Sequence, residues 1–448
     1  MKNPFARTIR YKDGLPVLPG AFPVVGHIPA LYHGGIDTLR EGHRTLGPLF
    51  WCSFALGQWC LLCEGQQAYD ILKRRATSSQ HYKSSTGILL GEFMLVQDDP
   101  SHRHLRSALS GPFSPRGLAA TGIGGRMAKT IEASVERWAS ERRIRVLPET
   151  QIISLEIIFQ ILGIEAQELP AWSAQYRALT FGALPGPATI PGSPKHRAAR
   201  ARKWLDNAFR EIILAARERP AGETLLTSLV HAKDEDGERL SETELIDNLR
   251  SLVLAGHETT ASAMAWVVLE LGRRPDLWDA LCEEVQRERE APASPGDLSR
   301  FPFAEALFRE ATRLYAPVLV TTRQLTDWMA IHSHRIPPQT IVGVSPALLA
   351  RDPGLYLDPD RFDPARWLGR GRTPSSIEMV AFGGGPHFCL GYHLAWLEVV
   401  QLAVALSSRM MRVGLRPRID DGPAPREIFF PLRHPTPGAR IDFTEMVV

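Results

Sequence analysis

The sequence predicts a mainly α-helical fold with small β-sheets, and three observations support this prediction. Apolar residues recur at helical spacing through most of the chain up to about residue 320. A Ser-x-x-Glu capping box at Ser241 opens one unusually long helix. Short proline-bounded segments, such as 329–336 and 340–344, are typical of strands or turns.

The composition is that of a globular protein without a strong charge bias. The chain has 448 residues, 44% of them apolar, which is enough for a large core. Length alone does not choose between one large domain and two or three average ones. Charged residues make up 23% and the net charge is only +3, without a long run of either sign. We therefore expect no nucleic-acid partner.

The first thirty residues contain no apolar stretch long enough for a signal peptide or a membrane anchor. A later apolar stretch, 252–271, carries His257, Glu258 and two threonines near its start, which would be costly facing lipid. This stretch is interpreted as a buried helix. The protein is expected to remain in the cytoplasm.

In chain order, the first clear element is a packed hairpin at 49–63, broken by the turn signal Leu56-Gly57-Gln58. Cys60 and Cys63 form a C-x-x-C there, but no second ligand pair follows, so packing is favoured over a zinc or redox site. Five cysteines are an odd number, so at least one thiol is free.

The Pro/Gly-rich stretch 182–194 separates two helical patterns. It suits a moving lid and a plain surface loop equally well. Ser193 as N-cap and Pro194 at the first helical position predict that the second helix runs to about Glu218.

The long helix begins where Ser241 and Glu244 form the capping box. Its apolar pattern continues to Leu271, and Gly272 and Pro275 close it. At about 1.5 Å per residue it spans more than roughly 40 Å, enough to cross the molecule.

The strongest chemical signal is the segment 382–391, Phe-Gly-Gly-Gly-Pro-His-Phe-Cys-Leu-Gly, directly before a helical pattern. Its glycines let the backbone approach a flat ligand, and amides near a helix N-terminus lower the pKa of a thiol. The segment therefore predicts a thiolate at Cys389. A cysteine beside a glycine loop can also be an ordinary packed residue.

This F-x-x-G-x-H-x-C-x-G pattern resembles the cysteine-ligand loop of the cytochrome P450 family at every defining position. The resemblance implies that the Cys389 thiolate is the axial ligand of the iron of haem b (iron protoporphyrin IX). It also implies that Phe382, Gly383, His387 and Gly391 take part in binding the haem.

A second match is Ala255-Gly256-His257-Glu258-Thr259-Thr260, which resembles the oxygen-activating segment of the family. The resemblance implies that Glu258 supplies protons, that Thr259 steadies the oxygen, and that Ala255 and Gly256 lie against the haem. The alternative makes Glu258 a surface charge and Thr259 a helix residue bonded back to a carbonyl.

The family resemblance also implies partners for the haem propionates. The matching residues are His102, Arg106, Arg323 and His387. Arg103 and His104, which lie beside the first two, are interpreted instead as part of a solvated basic face.

A third match is the E-x-x-R of Glu310 and Arg313, whose i, i+3 spacing puts both side chains on one helix face. The family pairs this motif with an arginine in a proline-rich segment, a position that Arg366 occupies. The resemblance implies a buried structural network rather than a catalytic one.

The matches run in family order from about residue 99 to 391, and Pro19-Gly20-x-x-Pro23-x-x-Gly26 resembles the family's N-terminal segment. One domain over 1–448 is therefore expected. Its α-rich body is expected at about 65–320 and 376–412, and its β-rich parts at about 15–64, 320–345 and 413–448. That opening segment is similar to membrane-bound members, but no anchor precedes it, so a soluble bacterial-type member is favoured.

Substrate contacts are expected, by the same resemblance, at Leu89, Leu90, Phe181, Leu252, Val318, Leu319, Phe429 and Phe430. Each of them is as readily core as pocket wall. Together they suggest a terpenoid, steroid, fatty acid or polyketide, and a role in secondary metabolism.

The family implies a monooxygenase that uses O2 to hydroxylate or epoxidise an apolar substrate. No flavin or iron–sulfur segment is visible, so a separate ferredoxin or flavodoxin with its reductase is expected to supply electrons. Its docking face is expected around Arg103, Arg106, Arg116 and Arg370. A monomer is expected. The alternatives are a peroxygenase or isomerase with the same haem-thiolate, or a non-catalytic haem gas sensor.

Overall fold

A computed structural model describes residues 9–54, 58–74, 76–84, 87, 90–164, 168–182, 190–288, 290–369, 374–419, 425–429 and 432–446. The α-helices within these ranges are α1 (Ile28–Leu46), α2 (Gln66–Lys73), α3 (Ser101–Phe113), α4 (Pro115–Ala120), α5 (Ile123–Glu141), α6 (Val146–Ile161), α7 (Leu169–Phe181), α8 (Pro194–Arg217), α9 (Leu225–His231), α10 (Glu242–Arg273), α11 (Pro275–Glu288), α12 (Pro302–Leu314), α13 (Pro346–Leu349) and α14 (Tyr392–Arg412). The strands are β1 (Arg10–Lys12), β2 (Leu15–Val17), β3 (Leu49–Ser53), β4 (Trp59–Cys63), β5 (Thr77–Ser78), β6 (Arg143–Arg145), β7 (Thr321–Leu325), β8 (Met329–Ile331), β9 (His334–Ile336), β10 (Ile341–Val344), β11 (Leu415–Arg418), β12 (Glu427–Ile428), β13 (His434–Pro435) and β14 (Arg440–Glu445). The mainly α fold with small sheets is confirmed.

The helical body is built around α10, which packs against α6, α8, α12 and α14. The predicted capping box forms: the Glu244 amide donates to Ser241 Oγ over 3.3 Å, and the Ser241 amide donates to Glu244 Oε2 over 2.8 Å. From Thr260 to Gly272 every residue of α10 is buried. A helix that is apolar on all sides must be surrounded by other elements, so α10 is the central helix of the body.

The largest sheet in the described ranges has the strand order β1-β2-β3-β4-β10-β7-β5. The predicted hairpin at 49–63 is its β3/β4 pair, in which Cys52 lies opposite Cys60. Residues 55–57 of its turn lie outside the described ranges. All five cysteines are free, and burial raises the pKa of Cys52 and of Cys63 to about 12. The hairpin cysteines are therefore packing residues.

A second sheet joins the C-terminal strands to the helical body in the order β11-β14-β6. Strand β6 lies between α5 and α6, within the range 65–320 that was expected to be α-rich. Pairing of β6 with β14 fastens the C-terminal part of the chain to the helices. The predicted strands at 329–336 and 340–344 are β8, β9 and β10.

Ser193 caps α8 as predicted, since its hydroxyl accepts the amide of His196 over 3.2 Å. Most of the lid candidate 182–194 lies outside the described residues, namely 183–189. Helices α10 and α14 are long and apolar enough to cross a bilayer by length and composition. However, 61% of the most apolar part of α10 and 67% of that of α14 are buried in protein, as in the core helices of soluble proteins.

Candidate functional site

The loop that carries Cys389 connects a short 3-10 turn to α14. Its shape depends on glycine, because Gly383 has φ +81° and a Cβ at Gly385 would lie 2.7 Å from the Leu72 carbonyl oxygen. The Cys389 amide donates to the Phe382 carbonyl over 2.8 Å, which turns the chain back before the helix begins. The Phe382 ring packs against Tyr392, with centroids 4.8 Å apart. The cysteine is thus held on a rigid loop.

The Cys389 side chain is solvent-accessible, yet protein surrounds it closely enough to alter its pKa. Burial raises the pKa of this thiol, while the Gly391 amide and the Arg106 charge lower it by less. The amide near the helix N-terminus that the sequence predicted to lower the pKa is present at Gly391, and ionisation of the thiol stays a prediction. Binding to iron would deprotonate the thiol, because a coordinated thiol loses its proton to the metal's charge.

A side chain that is both accessible and closely surrounded lies in a narrow cleft. Accessible groups are also found on α10, most of which is buried. These groups are Ala255 and the Thr259 hydroxyl. Helices α10 and α14 pack against each other. We infer that the cleft lies between α10 and the loop before α14.

Thr259 and Glu258 are both hydrogen-bonded within the protein. The Thr259 hydroxyl donates to the Ala255 carbonyl over 2.6 Å, so its free lone pairs can accept a hydrogen bond in the cleft. Glu258 Oε2 accepts Gln151 Nε2 of α6 over 2.9 Å. His257 is held by the Gln151 carbonyl over 3.1 Å. The carboxylate of Glu258 is therefore directed to α6 in this state.

Ala255 and Gly256 were both expected to lie against a haem, and the structure places them differently from each other. Ala255 is accessible in the cleft. A Cβ at Gly256 would lie 2.8 Å from Ile158 Cδ1, so Gly256 faces α6. Gly256 thus allows α6 and α10 to pack closely, and its contact with the haem stays a prediction.

The four residues expected to hold propionates lie together beside the loop. The rings of His102 and His387 are 4.2 Å apart, and Arg106 Nη1 donates to the Phe388 carbonyl over 2.6 Å. Burial, followed by the positive charges of Arg323, His102 and Arg106, lowers the pKa of His387 to about 2. Burial is also the main cause that lowers the pKa of His102 and of both arginines. We call this group the cation cluster: its positive charge comes from Arg106 and Arg323, and the two histidines, with lowered pKa values, are neutral hydrogen-bonding partners.

The cation cluster fits a ligand with two carboxylates. His102 Nε2 and His387 Nδ1 are buried without a hydrogen-bond partner in the described part of the chain, a costly arrangement unless a ligand completes it. A Cβ at Gly391 would meet open space within 4 Å, which leaves room beside Cys389. A soft sulfur ligand, a cleft and two carboxylate sites together fit a haem.

Glu310, Arg313 and Arg366 form a buried network. Both arginines donate to Glu310 Oε1, Arg313 over 2.8 Å and Arg366 over 3.0 Å. Trp367 Nε1 donates to the other carboxylate oxygen over 2.8 Å. Glu310 is fully buried, so its charge is balanced by these donors and not by water.

The expected substrate contacts divide between two cores. Leu90 and Leu252 belong to the core of the helical body, whereas Leu319 and Phe429 pack in the core around α1 and the large sheet. Val318 is partly accessible. Leu89 and Phe430, and the side chain of Phe181, lie outside the described structure.

His104 is placed differently from its prediction. It was assigned to a solvated face, but its Nδ1 lies 2.7 Å from Asp234 Oδ2 and its Nε2 lies 3.4 Å from Glu244 Oε1. The hydrogen bond that His104 donates to Asp234 is the main cause that raises the His104 pKa. Arg103 is exposed and lies 3.8 Å from Glu235. The prediction was wrong for His104 because the acidic partners come from distant parts of the sequence.

Three residues near the site were missed in the sequence. Ser79 Oγ lies 3.3 Å from His387 Nε2, and His81 Nε2 lies 2.7 Å from the Thr322 hydroxyl, beside Arg323. Gln151 binds Glu258. No local pattern marks these residues, since each acquires its neighbours through tertiary packing.

Comparisons with known proteins agree with this geometry. The family model described as cytochrome P450 matches residues 16–408. "Cytochrome P450 BJ-4" of Bradyrhizobium diazoefficiens is 39% identical over 99% of this chain and 99% of its own length. "Abscisic acid 8'-hydroxylase 1" of Oryza sativa subsp. japonica is 27% identical over 88% of this chain and 85% of its own. The solved structure "Retinoic acid bound cyanobacterial CYP120A1" is similar with a TM-score of 0.83 and 26% identity, over 96% of this chain and 100% of that one.

Proposed function

This chain belongs to the cytochrome P450 family, so it is a haem b monooxygenase, and we propose that it oxidises an isoprenoid with electrons from a separate redox protein. The observation that supports the haem site is the cation cluster beside the accessible Cys389 side chain. The reaction requires O2, an apolar substrate and a source of electrons.

We propose specific positions for the haem. Cys389 would bind the iron, and the cation cluster of His102, Arg106, Arg323 and His387 would bind the propionates. When bound, the haem supplies dioxygen activation and oxygen insertion. The protein supplies a rigid sulfur ligand, cations for the carboxylates and a cleft bounded by α10.

We propose that Thr259 and Glu258 take part in proton transfer in this cleft. The Thr259 hydroxyl already gives its hydrogen to the Ala255 carbonyl, so it is prepared to accept a hydrogen bond from a water or a protonated oxygen. A third of the Glu258 side chain is exposed, so this side chain can turn from Gln151 towards the cleft. There it could take up protons from solvent and pass them to the cleft.

The isoprenoid assignment rests on the relatives. One relative is named as an abscisic acid hydroxylase, and one solved structure contains retinoic acid. Both compounds are isoprenoid carboxylic acids. The described candidate pocket residues are apolar, in agreement with such a carbon skeleton. Steroids, fatty acids and polyketides are the competing classes.

Titration of the ferric holoenzyme with a matched panel would test this class. Displacement of water from the iron shifts the Soret band, and we expect this shift at low concentration with retinoic acid, abscisic acid or a cyclic diterpene. Palmitic acid and progesterone are the controls. A shift with the controls alone would contradict the isoprenoid assignment.

We propose a ferredoxin or flavodoxin with its reductase as the electron source. Arg103 and Arg116 are exposed near the start of α3 and α4 and could meet an acidic partner. Arg106 is turned inwards to Phe388, and Arg370 lies outside the described residues. Complete reduction of purified protein by NADPH alone would contradict a separate partner.

We also propose a cytoplasmic monomer with a role in secondary metabolism. The bacterial origin of two of its relatives, from Bradyrhizobium diazoefficiens and Sinorhizobium fredii, supports the location. Sedimentation of the purified holoenzyme would test the monomer, because a dimer would sediment at twice the mass.

A further inference from the structure

Trp266 and Tyr315 form a stacked aromatic pair for which the oxygenation chemistry provides no use. Their ring centroids are 3.9 Å apart and the rings are 8° from parallel, which makes them the closest pair of rings among the described residues. Both side chains are buried, Trp266 on α10 and Tyr315 directly after α12. Indole and phenol rings lose one electron more readily than other aromatic side chains, and close stacking lets an electron pass between them.

The Tyr315 hydroxyl has a proton acceptor, because it donates to Glu270 Oε1 over 2.6 Å. Glu270 lies one turn after Trp266 on α10, and its side chain is buried beside its ion-pair partner Arg273. Burial, followed by the charge of Glu270, raises the pKa of Tyr315, so the hydroxyl keeps its proton in the resting protein. A tyrosine that loses an electron becomes a strong acid, and the bonded carboxylate is in position to take the proton.

Two other buried tyrosines are bonded to groups that do not accept a proton. The Tyr176 hydroxyl of α7 donates to the Arg250 carbonyl over 3.2 Å, and a peptide carbonyl is too weak a base. The Tyr392 hydroxyl is hydrogen-bonded to the Arg309 guanidinium, which is permanently charged. Oxidation of either residue would leave its proton without an adjacent base. The stacked indole and the bonded carboxylate together distinguish Tyr315 from these two residues.

The pair is connected to the proposed haem site along two helices. Trp266 lies two turns after Thr259 on α10, a rise of about 10 Å. Tyr315 lies two turns after Phe308 of α12, and the Phe308 ring packs against Phe382 in the loop of the sulfur ligand, with centroids 5.8 Å apart. The pair is therefore near enough to exchange an electron with the site, and its burial keeps it from direct contact with solvent.

We propose that Trp266 and Tyr315 form an electron-donating pair that returns one electron to the haem after a peracid or partly reduced oxygen has oxidised it and no substrate has reacted. The electron leaves Tyr315 through Trp266 and the hydroxyl proton passes to Glu270, so a neutral tyrosyl radical remains. A one-electron reductant from solution, such as ascorbate, then reduces the radical, and Glu270 returns the proton. One oxidising equivalent is thus removed before it damages the porphyrin or the sulfur ligand.

Freeze-quench electron paramagnetic resonance of the substrate-free ferric holoenzyme, mixed with meta-chloroperbenzoic acid, tests this proposal. We expect a neutral tyrosyl radical in the wild type, with a signal that narrows when the protein carries ring-deuterated tyrosine. Tyr315→Phe keeps the ring that stacks on Trp266 and should lose this signal. Tyr176→Phe is the matched control, because it also removes one buried hydroxyl, and it should keep the signal. A wild type without a tyrosyl radical, or a Tyr315→Phe protein that retains it, would overturn the proposal.

Two further variants test the path of the proton and of the electron. Glu270→Gln keeps an oxygen that accepts a hydrogen bond but removes the base, so it should slow radical formation about a hundredfold, in the range of a general base. Trp266→Phe puts a ring that is harder to oxidise beside Tyr315 and should also slow it. Radical formation at the wild-type rate in Glu270→Gln would contradict proton transfer to Glu270.

Bleaching of the Soret band by the same peracid tests whether the pair protects the haem. The band should bleach faster in Tyr315→Phe than in the wild type and in Tyr176→Phe, and equal bleaching in all three would contradict protection. These measurements use neither substrate nor redox partner. Failure here therefore leaves the isoprenoid proposal untouched.

Discussion

The surroundings of the Cys389 thiol change its pKa in opposite directions. Burial raises its pKa, while the Gly391 amide and the Arg106 charge, which are supplied by the start of α14 and by α3, partly oppose that rise. The amide and the guanidinium that lower this pKa thus come from two different helices.

We expect Cys389→Ala to abolish the red-shifted Soret band of the reduced carbonyl complex, because that band requires thiolate ligation. The measurement is the difference spectrum of the reduced protein with and without carbon monoxide. Cys282→Ala, which removes a free and buried cysteine of α11, is the control and should keep the band. Retention of the band in the Cys389 variant would refute the ligand assignment.

The Thr259 hydroxyl donates its hydrogen to the Ala255 carbonyl, which leaves its lone pairs free to accept a hydrogen bond. We expect Thr259→Ala to raise the number of electrons consumed per product formed, since the position of the proton-accepting oxygen is lost. The ratio of NADPH oxidation to product formation measures this. Thr259→Ser should restore the ratio, and an unchanged ratio in the alanine variant would remove Thr259 from the mechanism.

Glu310 is fully buried between two guanidinium groups. Glu310→Gln leaves Arg313 and Arg366 without their carboxylate, which should cost about 3 to 5 kcal/mol of unfolding free energy. Urea unfolding followed by haem absorbance checks this. Glu305→Gln, which breaks a partly exposed pair with Arg309 on the same helix, should cost less than about 1 kcal/mol. Similar losses in the two variants would contradict a special role for the network.

Helix α3 is attached to the start of α10 through His104. This histidine lies between Asp234, in the turn before α10, and Glu244, in the capping box of α10. The same helix carries His102 and Arg106 of the cation cluster. The attachment therefore positions part of the haem site from the opposite face of α3.

The contribution of His104 to stability should depend on pH. The folded protein raises the His104 pKa above its unfolded value of about 6.5. The stabilisation is therefore complete below about pH 6.5 and is lost as the pH rises through the folded pKa. We expect the difference in unfolding free energy between the wild type and His104→Gln to be larger at about pH 6 than at about pH 9. A difference that grows with pH would show that the pairing is not formed.

Residues from distant parts of the molecule come together at the proposed haem site. The cation cluster takes His102 and Arg106 from α3, Arg323 from β7 of the large sheet, and His387 from the loop before α14. The helical body and the sheet therefore both contribute residues to the cation cluster. A ligand with two carboxylates would stabilise the contact between them.

Removal of the haem should therefore lower the melting temperature of the entire protein. Reconstitution of the apoprotein with haem should restore it, whereas haem dimethyl ester, which lacks charged propionates, should restore less. A charge-assisted hydrogen bond contributes about 1.5 to 3 kcal/mol, so the difference should be several degrees. Calorimetry of the two reconstituted proteins measures it. Equal melting temperatures would show that the cation cluster does not bind the propionates.

Local chemistry allowed most elements to be predicted from the sequence. The capping box at Ser241, the cap at Ser193 and the hairpin at 49–63 depend on neighbours within a few residues, and all three are present. The pairing of β6 with β14 was not predicted, because its partners are about 300 residues apart and three residues of strand carry little pattern.

The sequence by itself determined the fold class and the family, because the motifs that identify them are short and their geometry is local. Only the tertiary structure decided that Gly256 faces α6, that His104 is paired with two carboxylates, and that Tyr315 stacks on Trp266 and is bonded to Glu270. The physical reason is that burial and charge compensation depend on which distant residues come together, and spacing along the chain does not contain that information.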